Sequence, residues 1–215
     1  MAEQYDRVDF MSTYGVVPFS IWESDDPKFS NPILKHLKER QGESTRENTL
    51  KSFGGAGENT AYTATTSYFN PKLCKIIYSS YCPKNGTIFD PFSSVVRPYM
   101  AKILDYNYVG CEVRKDECDK INEMLNTNSL FEESDVRVLN MDCREFETDQ
   151  KFDLVFTCPP YWNLETYSEQ DNDLSSIADY SDFLTEMSKV YSKCSSLMHD
   201  ESYCCFVVAD FRDYS

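Results

Sequence analysis

The chain reads as an α/β protein built on a Rossmann-like, doubly wound, mostly parallel sheet. Three observations predict this. Short apolar segments alternate with stretches of helical periodicity from about residue 70 to residue 208, the pattern of strands joined by crossover helices. One segment, Leu154 to Cys158, is apolar at consecutive positions save for the hydroxyl of Thr157, as expected of a strand covered on both faces. The predicted strands also end in polar or stiff residues: Asp90-Pro91-Phe92, Glu112, Asp142 and Cys158-Pro159-Pro160-Tyr161. In open α/β sheets, ligands bind outside the carboxyl ends of the strands.

Length and composition bound the rest. With 215 residues, one folded domain is expected. Residues 67–215 carry the alternating pattern and form that domain; residues 1–66 read as a partly irregular N-terminal extension. Within the extension, Val16 to Trp22 is strand-like, Asn31-Pro32 opens a helix to about Arg40, and Gly54 to Thr60 is a flexible connector. Nine cysteines without a spaced framework, and no apolar run able to span a bilayer, point to a reduced cytoplasmic protein with no membrane segment. Two histidines and no Cys-x-x-Cys argue against a metal site.

The net charge of −15 argues against a chain that coats nucleic acid. The charge is uneven, however. Residues 28–51 hold six Lys/Arg against three Glu, residues 67–102 five against one Asp, and residues 163–188 seven acids and no Lys/Arg. One side could still face a polyanion.

In chain order, Asn70-Pro71 caps and opens a helix with Leu73, Ile76, Ile77 and Tyr81 on one face. Thr87-Ile88-Phe89 is a short strand ending at Asp90. Arg97-Pro98 leads a helix with Met100, Ile103 and Leu104 inward. Tyr108 to Val113 is the second strand, and Lys115 to about Leu125 is a helix burying Cys118, Ile121 and Leu125. Val136 to Leu139 is the third strand and Phe152 to Thr157 the fourth. Asn163 to Ala178 reads as a long, acidic, polar loop. Asp179 or Ser181 then caps a helix with Phe183, Met187, Val190, Tyr191, Cys194 and Leu197 inward. Tyr203 to Val208 is the fifth strand, in which Cys204 and Cys205 are expected in the core.

Pro159 and Pro160 cannot donate to a ladder, and each biases the residue before it to an extended conformation. They make a stiff turn carrying Tyr161 and Trp162. Outward carbonyls flanked by aromatic faces suit a flat heterocycle with an exocyclic amine. Glu112, 22 residues after Asp90, is placed to accept from both hydroxyls of a ribose. Asp142 is placed to accept from an adenine amino group. The Asp90–Gly110 interval holds no glycine, which argues against a dinucleotide-binding dehydrogenase.

The span from Ser67 to Asp213 resembles the S-adenosylmethionine-dependent DNA amino-methyltransferases, above all the phage-type DNA modification methylases. Ser67-Tyr68-Phe69-Asn70-Pro71 resembles the segment before their cofactor strand, and Asp90-Pro91-Phe92 their methionine-binding loop. Tyr108 to Arg114 resembles the ribose-binding strand, and Asp142-Cys143-Arg144 the adenine-side acid. Cys158-Pro159-Pro160-Tyr161, with Leu164-Glu165-x-Tyr167-Ser168, is similar to the catalytic loop and its extension. Position 158 is Cys where the family has Asp, Asn or Ser.

The resemblance implies a class I methyltransferase fold. It implies S-adenosylmethionine as cofactor, held by Phe69, by Asp90 to Ser93, by Glu112 and Val113, by Asp142 and Cys143, and by Thr157. Catalysis would fall to Cys158, Pro159, Pro160 and Tyr161. The reaction implied is methyl transfer to adenine N6 or cytosine N4 of DNA, with the base flipped out and stacked on Tyr161. RNA or protein-amide methyl transfer, and an inactive protein that keeps the fold, are the alternatives. The family's sheet continues with a closing hairpin beyond the fifth strand. The sequence therefore suggests a shortened or split form, with a second chain or a second copy completing the sheet.

Overall fold

The structure, a computed structural model, describes residues 69–127, 134–162, 167–168 and 170–208. The elements expected before Phe69, residues 163–166 of the loop extension and the segment from Ala209 lie outside the described residues.

The elements are α1 (Pro71–Tyr81), β1 (Thr87–Asp90), α2 (Val96–Ile103), β2 (Asn107–Glu112), α3 (Lys115–Thr127), β3 (Val136–Asn140), β4 (Phe152–Thr157), α4 (Tyr180–Leu197) and β5 (Met198–Phe206). Short 3-10 turns sit at Cys143–Glu145 and Leu174–Ser176. The strands form one sheet of order β3-β2-β1-β4-β5, and every pair is parallel. This is a Rossmann-like, doubly wound arrangement. The direction of winding reverses between β1 and β4, and such a switch point opens a crevice at the carboxyl edge.

Side chains leave a strand alternately to either face, which divides the core in two. Ile88, Tyr108, Val138, Leu154 and Phe156 pack under α1, α2 and α3. Phe89, Val109, Cys111 and Val155 pack against Phe183, Met187, Val190 and Cys194 of α4. Both faces are thus covered, which is why the central strands carry consecutive apolar residues. Phe152, at the start of β4 where the register with β5 shifts, packs on the α4 side, onto Phe89 at 5.1 Å between ring centroids.

Local chemistry sets most boundaries. Asn70 caps α1 by accepting from the Lys72 N–H, with Pro71 at the first position. Asp179 caps α4 by accepting from Ser181 and Asp182. Other boundaries and faces differ from the sequence reading. The buried face of α1 centres on Cys74 and Tyr78 rather than Leu73 and Ile77, because the Tyr78 hydroxyl reaches over to the Arg97 carbonyl at 3.0 Å. Ile103 and Leu104 are only partly buried. Helix α2 starts before Arg97.

The largest differences lie at the sheet edge. Strand β5 begins at Met198, directly after α4. As the last strand of the described sheet it leaves Cys204 exposed and Cys205 half-buried. Tyr191 of α4 is 43 % exposed and leans edge-on against Phe206. The loop expected to be polar throughout contains the buried 3-10 turn, with Leu174, Ser175 and Asp173 inside.

Gly110, in β2, is needed for space. A Cβ there would meet Ser93 Oγ at 2.6 Å, Ser93 Cβ at 2.7 Å and Tyr108 Cε1 at 2.8 Å. Its absence lets the turn after β1 lie on β2, where the Ser93 N–H donates to the Cys111 carbonyl at 2.7 Å. Gly110→Ala is expected to destabilise the fold by about 1–3 kcal/mol, the usual cost of overpacking a filled core. Urea denaturation checks it; an unchanged midpoint would mean the turn is free to lift.

Candidate active site

Asp90 closes β1 and is fully buried. Its Oδ1 accepts from the Phe92 N–H at 3.1 Å and from Thr157 Oγ1 at 2.6 Å. Its Oδ2 accepts from Arg97 Nε at 2.6 Å and from the Tyr108 hydroxyl at 2.5 Å. A carboxylate offers about four acceptor positions, so this one is filled by protein. It ties β1, β2, β4 and α2 together across the switch point.

Arg97, itself 3 % exposed, also donates to the Phe92 carbonyl and lies 5.0 Å above the Phe69 ring. Phe69 in turn meets Phe156 edge-on at 5.5 Å. Burial pulls the Arg97 guanidinium toward neutrality, but the Asp90 carboxylate outweighs this and holds it charged. Burial, with Asp90 adding to it, pushes Tyr108 well above its ordinary value. Tyr108 therefore serves as a neutral donor.

The turn from Pro91 to Val95 leads into α2. The Ser93 side chain points inward, its hydroxyl 3.0 Å from the Tyr108 hydroxyl. Ser94 differs: its Oγ is buried and, among the described residues, lacks a hydrogen-bond partner. Helix α2 starts without a side-chain cap and without an acid in its first turn. Its positive end, the orphan hydroxyl and the Arg97 guanidinium therefore converge on one turn.

Glu112 ends β2 at 8 % exposure. Its Oε1 accepts from the Arg114 N–H at 2.8 Å. The guanidinium of Arg114 is looser, at 3.3 Å and 3.5 Å from the two carboxylate oxygens. Burial raises the Glu112 pKa, and the bonds to Arg114 only partly oppose this. Asn140 Nδ2 donates to the carbonyls of both Glu112 and Val113 at 2.9 Å, which fixes the backbone just past the strand.

Asp142 is held far more tightly. It accepts from the Arg144 N–H at 2.9 Å, from Nε at 3.0 Å to each oxygen and from Nη2 at 2.5 Å. Arg144 bridges onward to Glu186 of α4 and to the Asn172 carbonyl at 3.4 Å. The Cys143 side chain points into the α4-side core, where burial pushes its thiol up to about 12.

Past β4 the chain turns through Cys158 to Trp162. Pro159 is buried and Pro160 partly so. The Cys158 thiol lies 3.2 Å from the Tyr161 hydroxyl, which also donates to the Val207 carbonyl at 3.4 Å. Trp162 takes a φ of 49°, a left-handed conformation that costs a bulky residue energy. Two contacts hold it there: Nε1 donates to the Ile177 carbonyl at 3.0 Å, and the indole meets the Tyr180 ring at 5.1 Å. Farther on, the Tyr167 N–H donates to Ser175 Oγ at 3.0 Å. The Tyr167 ring lies beneath the Arg114 guanidinium at 5.7 Å.

Several solved structures are similar to part of this chain. They are methyltransferases. An S-adenosylmethionine-dependent methyltransferase from Clostridium acetobutylicum is 12 % identical over 58 % of this chain and 43 % of its own, with a TM-score of 0.41. TrmN from Thermus thermophilus is 14 % identical over 63 % and 37 %, with a TM-score of 0.45. An rRNA methylase from Streptococcus thermophilus is 6 % identical over 62 % and 67 %, with a TM-score of 0.44. The chain spans less than half the length of the first two. No protein-family profile and no curated protein matches the sequence.

The carboxyl edge gathers Asp90, Glu112, Asp142 and the Cys158 to Tyr161 turn as strand ends of one sheet. The sequence reading did not anticipate that each acid is met by an arginine: Arg97, Arg114 and Arg144. A local signal existed for two of them, since Glu112-Val113-Arg114 and Asp142-Cys143-Arg144 repeat one spacing. Among the described residues, no cluster of His, Cys, Asp and Glu could hold a metal ion, and no helix is long and apolar enough to cross a membrane.

Proposed function

We propose that this chain transfers a methyl group from S-adenosylmethionine to the exocyclic amine of a DNA base, adenine N6 or cytosine N4. The observation that carries this reading is the Cys158-Pro159-Pro160-Tyr161 turn at the end of β4, bonded through Thr157 to the end of β1 at the switch point. The residues present fit the cofactor. Its amino-acid carboxylate suits the uncapped end of α2 and the orphan Ser94 hydroxyl. Its ribose diol suits Glu112. Asp142 is already saturated by Arg144, so the backbone at Cys143, beside it, is left for the adenine edge.

The cofactor supplies an electrophilic methyl on a sulfonium. The protein supplies position. The carbonyls of Cys158 and Pro159 accept from the target amine, which draws its lone pair out of conjugation with the ring. The Cys158 thiol takes no part in this contact, because it is engaged with the Tyr161 hydroxyl. The Tyr161 ring supports the flipped base by stacking. Orientation and electrostatics carry the rate, with no covalent enzyme intermediate.

The test is transfer of labelled methyl to unmodified duplex DNA, with RNA and a glutamine-containing peptide as competing acceptors. Tyr161→Ala is expected to lower kcat about 10- to 100-fold, the range of one base-stacking contact. Cofactor affinity should hold within about twofold, since the ring lies outside the cofactor contacts. Tyr161→Phe should retain most of the activity. Labelling of RNA or peptide alone would replace the DNA reading, and an unchanged Tyr161→Ala rate would remove the turn from the chemistry.

A further inference from the structure

Among the described residues, Tyr167 belongs to neither apolar core. It is a half-buried aromatic at the ligand edge, and its position is built rather than incidental. Its N–H is fixed to Ser175, while Ser168 donates to Asp173 at 2.7 Å. Asp173 is 5 % exposed and accepts from the Ser175 N–H and hydroxyl at 2.9 Å and 2.7 Å. Arg144 grips the Asn172 carbonyl from the end of β3. These bonds fasten the returning segment across the ends of β2 and β3, and the Arg114 guanidinium spans from Glu112 to the Tyr167 ring.

The two strand-end acids differ in how firmly their arginines hold them. Arg144 chelates Asp142 at 2.5–3.0 Å. The Arg114 side chain reaches Glu112 only at 3.3 and 3.5 Å, close to the limit of a hydrogen bond. A pair of vicinal hydroxyls can therefore take the Glu112 oxygens from the Arg114 side chain. The Arg114 backbone bond and its stacking on Tyr167 can persist meanwhile.

Resting on the cofactor reading above, we infer that Tyr167, backed by Arg114, is the recognition wall for the nucleoside half of the ligand. It contributes an aromatic face beside the diol-binding acid. The ligand class it selects is a nucleoside with a free ribose diol and a flat base. Glu112 reads the sugar, and the ring, made more electron-poor by its cation, packs on the sugar–base unit.

Calorimetric titration of the full chain with S-adenosylmethionine, and separately with methylthioadenosine, which lacks the amino-acid end, tests this. Tyr167→Leu keeps apolar bulk without a π face, and Tyr167→Phe keeps the face. Urea midpoints establish that both variants fold. Tyr167→Leu is expected to weaken both ligands about tenfold, the scale of one aromatic–base contact. Tyr167→Phe should stay within about twofold of the wild type, because the π face is retained. If a folded Tyr167→Leu binds both ligands as the wild type does, the inference is overturned while the cofactor reading stands. If the folded wild type binds neither ligand, both fall.

Discussion

Replacing Arg97 with methionine is expected to cost the fold about 3–5 kcal/mol, because it strands a fully buried carboxylate. That is a large share of the roughly 5–15 kcal/mol that holds a domain together. The magnitude follows from the site. Asp90 has no access to solvent, so without Arg97 its charge is compensated, among the described residues, by the Phe92 N–H and the Thr157 and Tyr108 hydroxyls. Lysine should not rescue, since Arg97 serves Asp90 through Nε and the Phe92 carbonyl through Nη2 at once. A single ammonium cannot reproduce that fork. The double variant Arg97→Met with Asp90→Asn should lose less than the sum of the two single changes, as expected of residues sharing one network. Urea denaturation of the four chains measures this. A loss below about 1 kcal/mol for Arg97→Met, the scale of an exposed pair, would mean that the pair is hydrated.

Glu112→Gln is expected to move stability and ligand affinity in opposite directions. Burial raises the Glu112 pKa above the ordinary glutamate value, despite Arg114. A carboxyl with a raised folded-state pKa favours the folded state below its unfolded pKa, and that contribution is lost as pH rises through the folded value. At neutral pH the ionised side chain therefore weighs against the fold. Glutamine removes the charge and keeps an oxygen for the Arg114 N–H. The urea midpoint should rise at neutral pH, and the gain should disappear below about pH 4, where glutamate is itself protonated. Affinity for S-adenosylmethionine should fall about 10- to 100-fold, since hydrogen bonds to a charged acceptor contribute roughly 1.5–3 kcal/mol. A destabilised Glu112→Gln with unchanged affinity would identify Glu112 as a structural partner of Arg114 and nothing more.

The sequence by itself determined the alternation of strands and helices, and with it the parallel sheet. Consecutive apolar residues at Leu154 to Phe156 and at Tyr108 to Val109 required cover on both faces, and the structure provides it. Caps written in the chain, Asn70 and Asp179, set their helices where expected. The strand-end acids and the Pro159-Pro160 turn were legible because they are local: each is a residue type at a fixed distance from an apolar run.

Only the tertiary structure decided what those residues touch. Nothing in the spacing of Asp90, Tyr108 and Thr157 states that one carboxylate gathers both hydroxyls. That depends on β1 lying between β2 and β4. Ser93 turns inward because Gly110, on another strand, leaves room for it. Tyr191 and Cys204 fit the helical and strand periods yet lie exposed, because β5 is the last strand of the described sheet. Tyr167 sits in a polar stretch without periodicity and reaches the carboxyl edge of the sheet through its contacts with Ser175 and Arg114. Periodicity records which side of its own element a residue occupies. Burial, charge pairing and the partners of each acid are set by which other elements arrive beside it, and that is fixed only when the chain is folded.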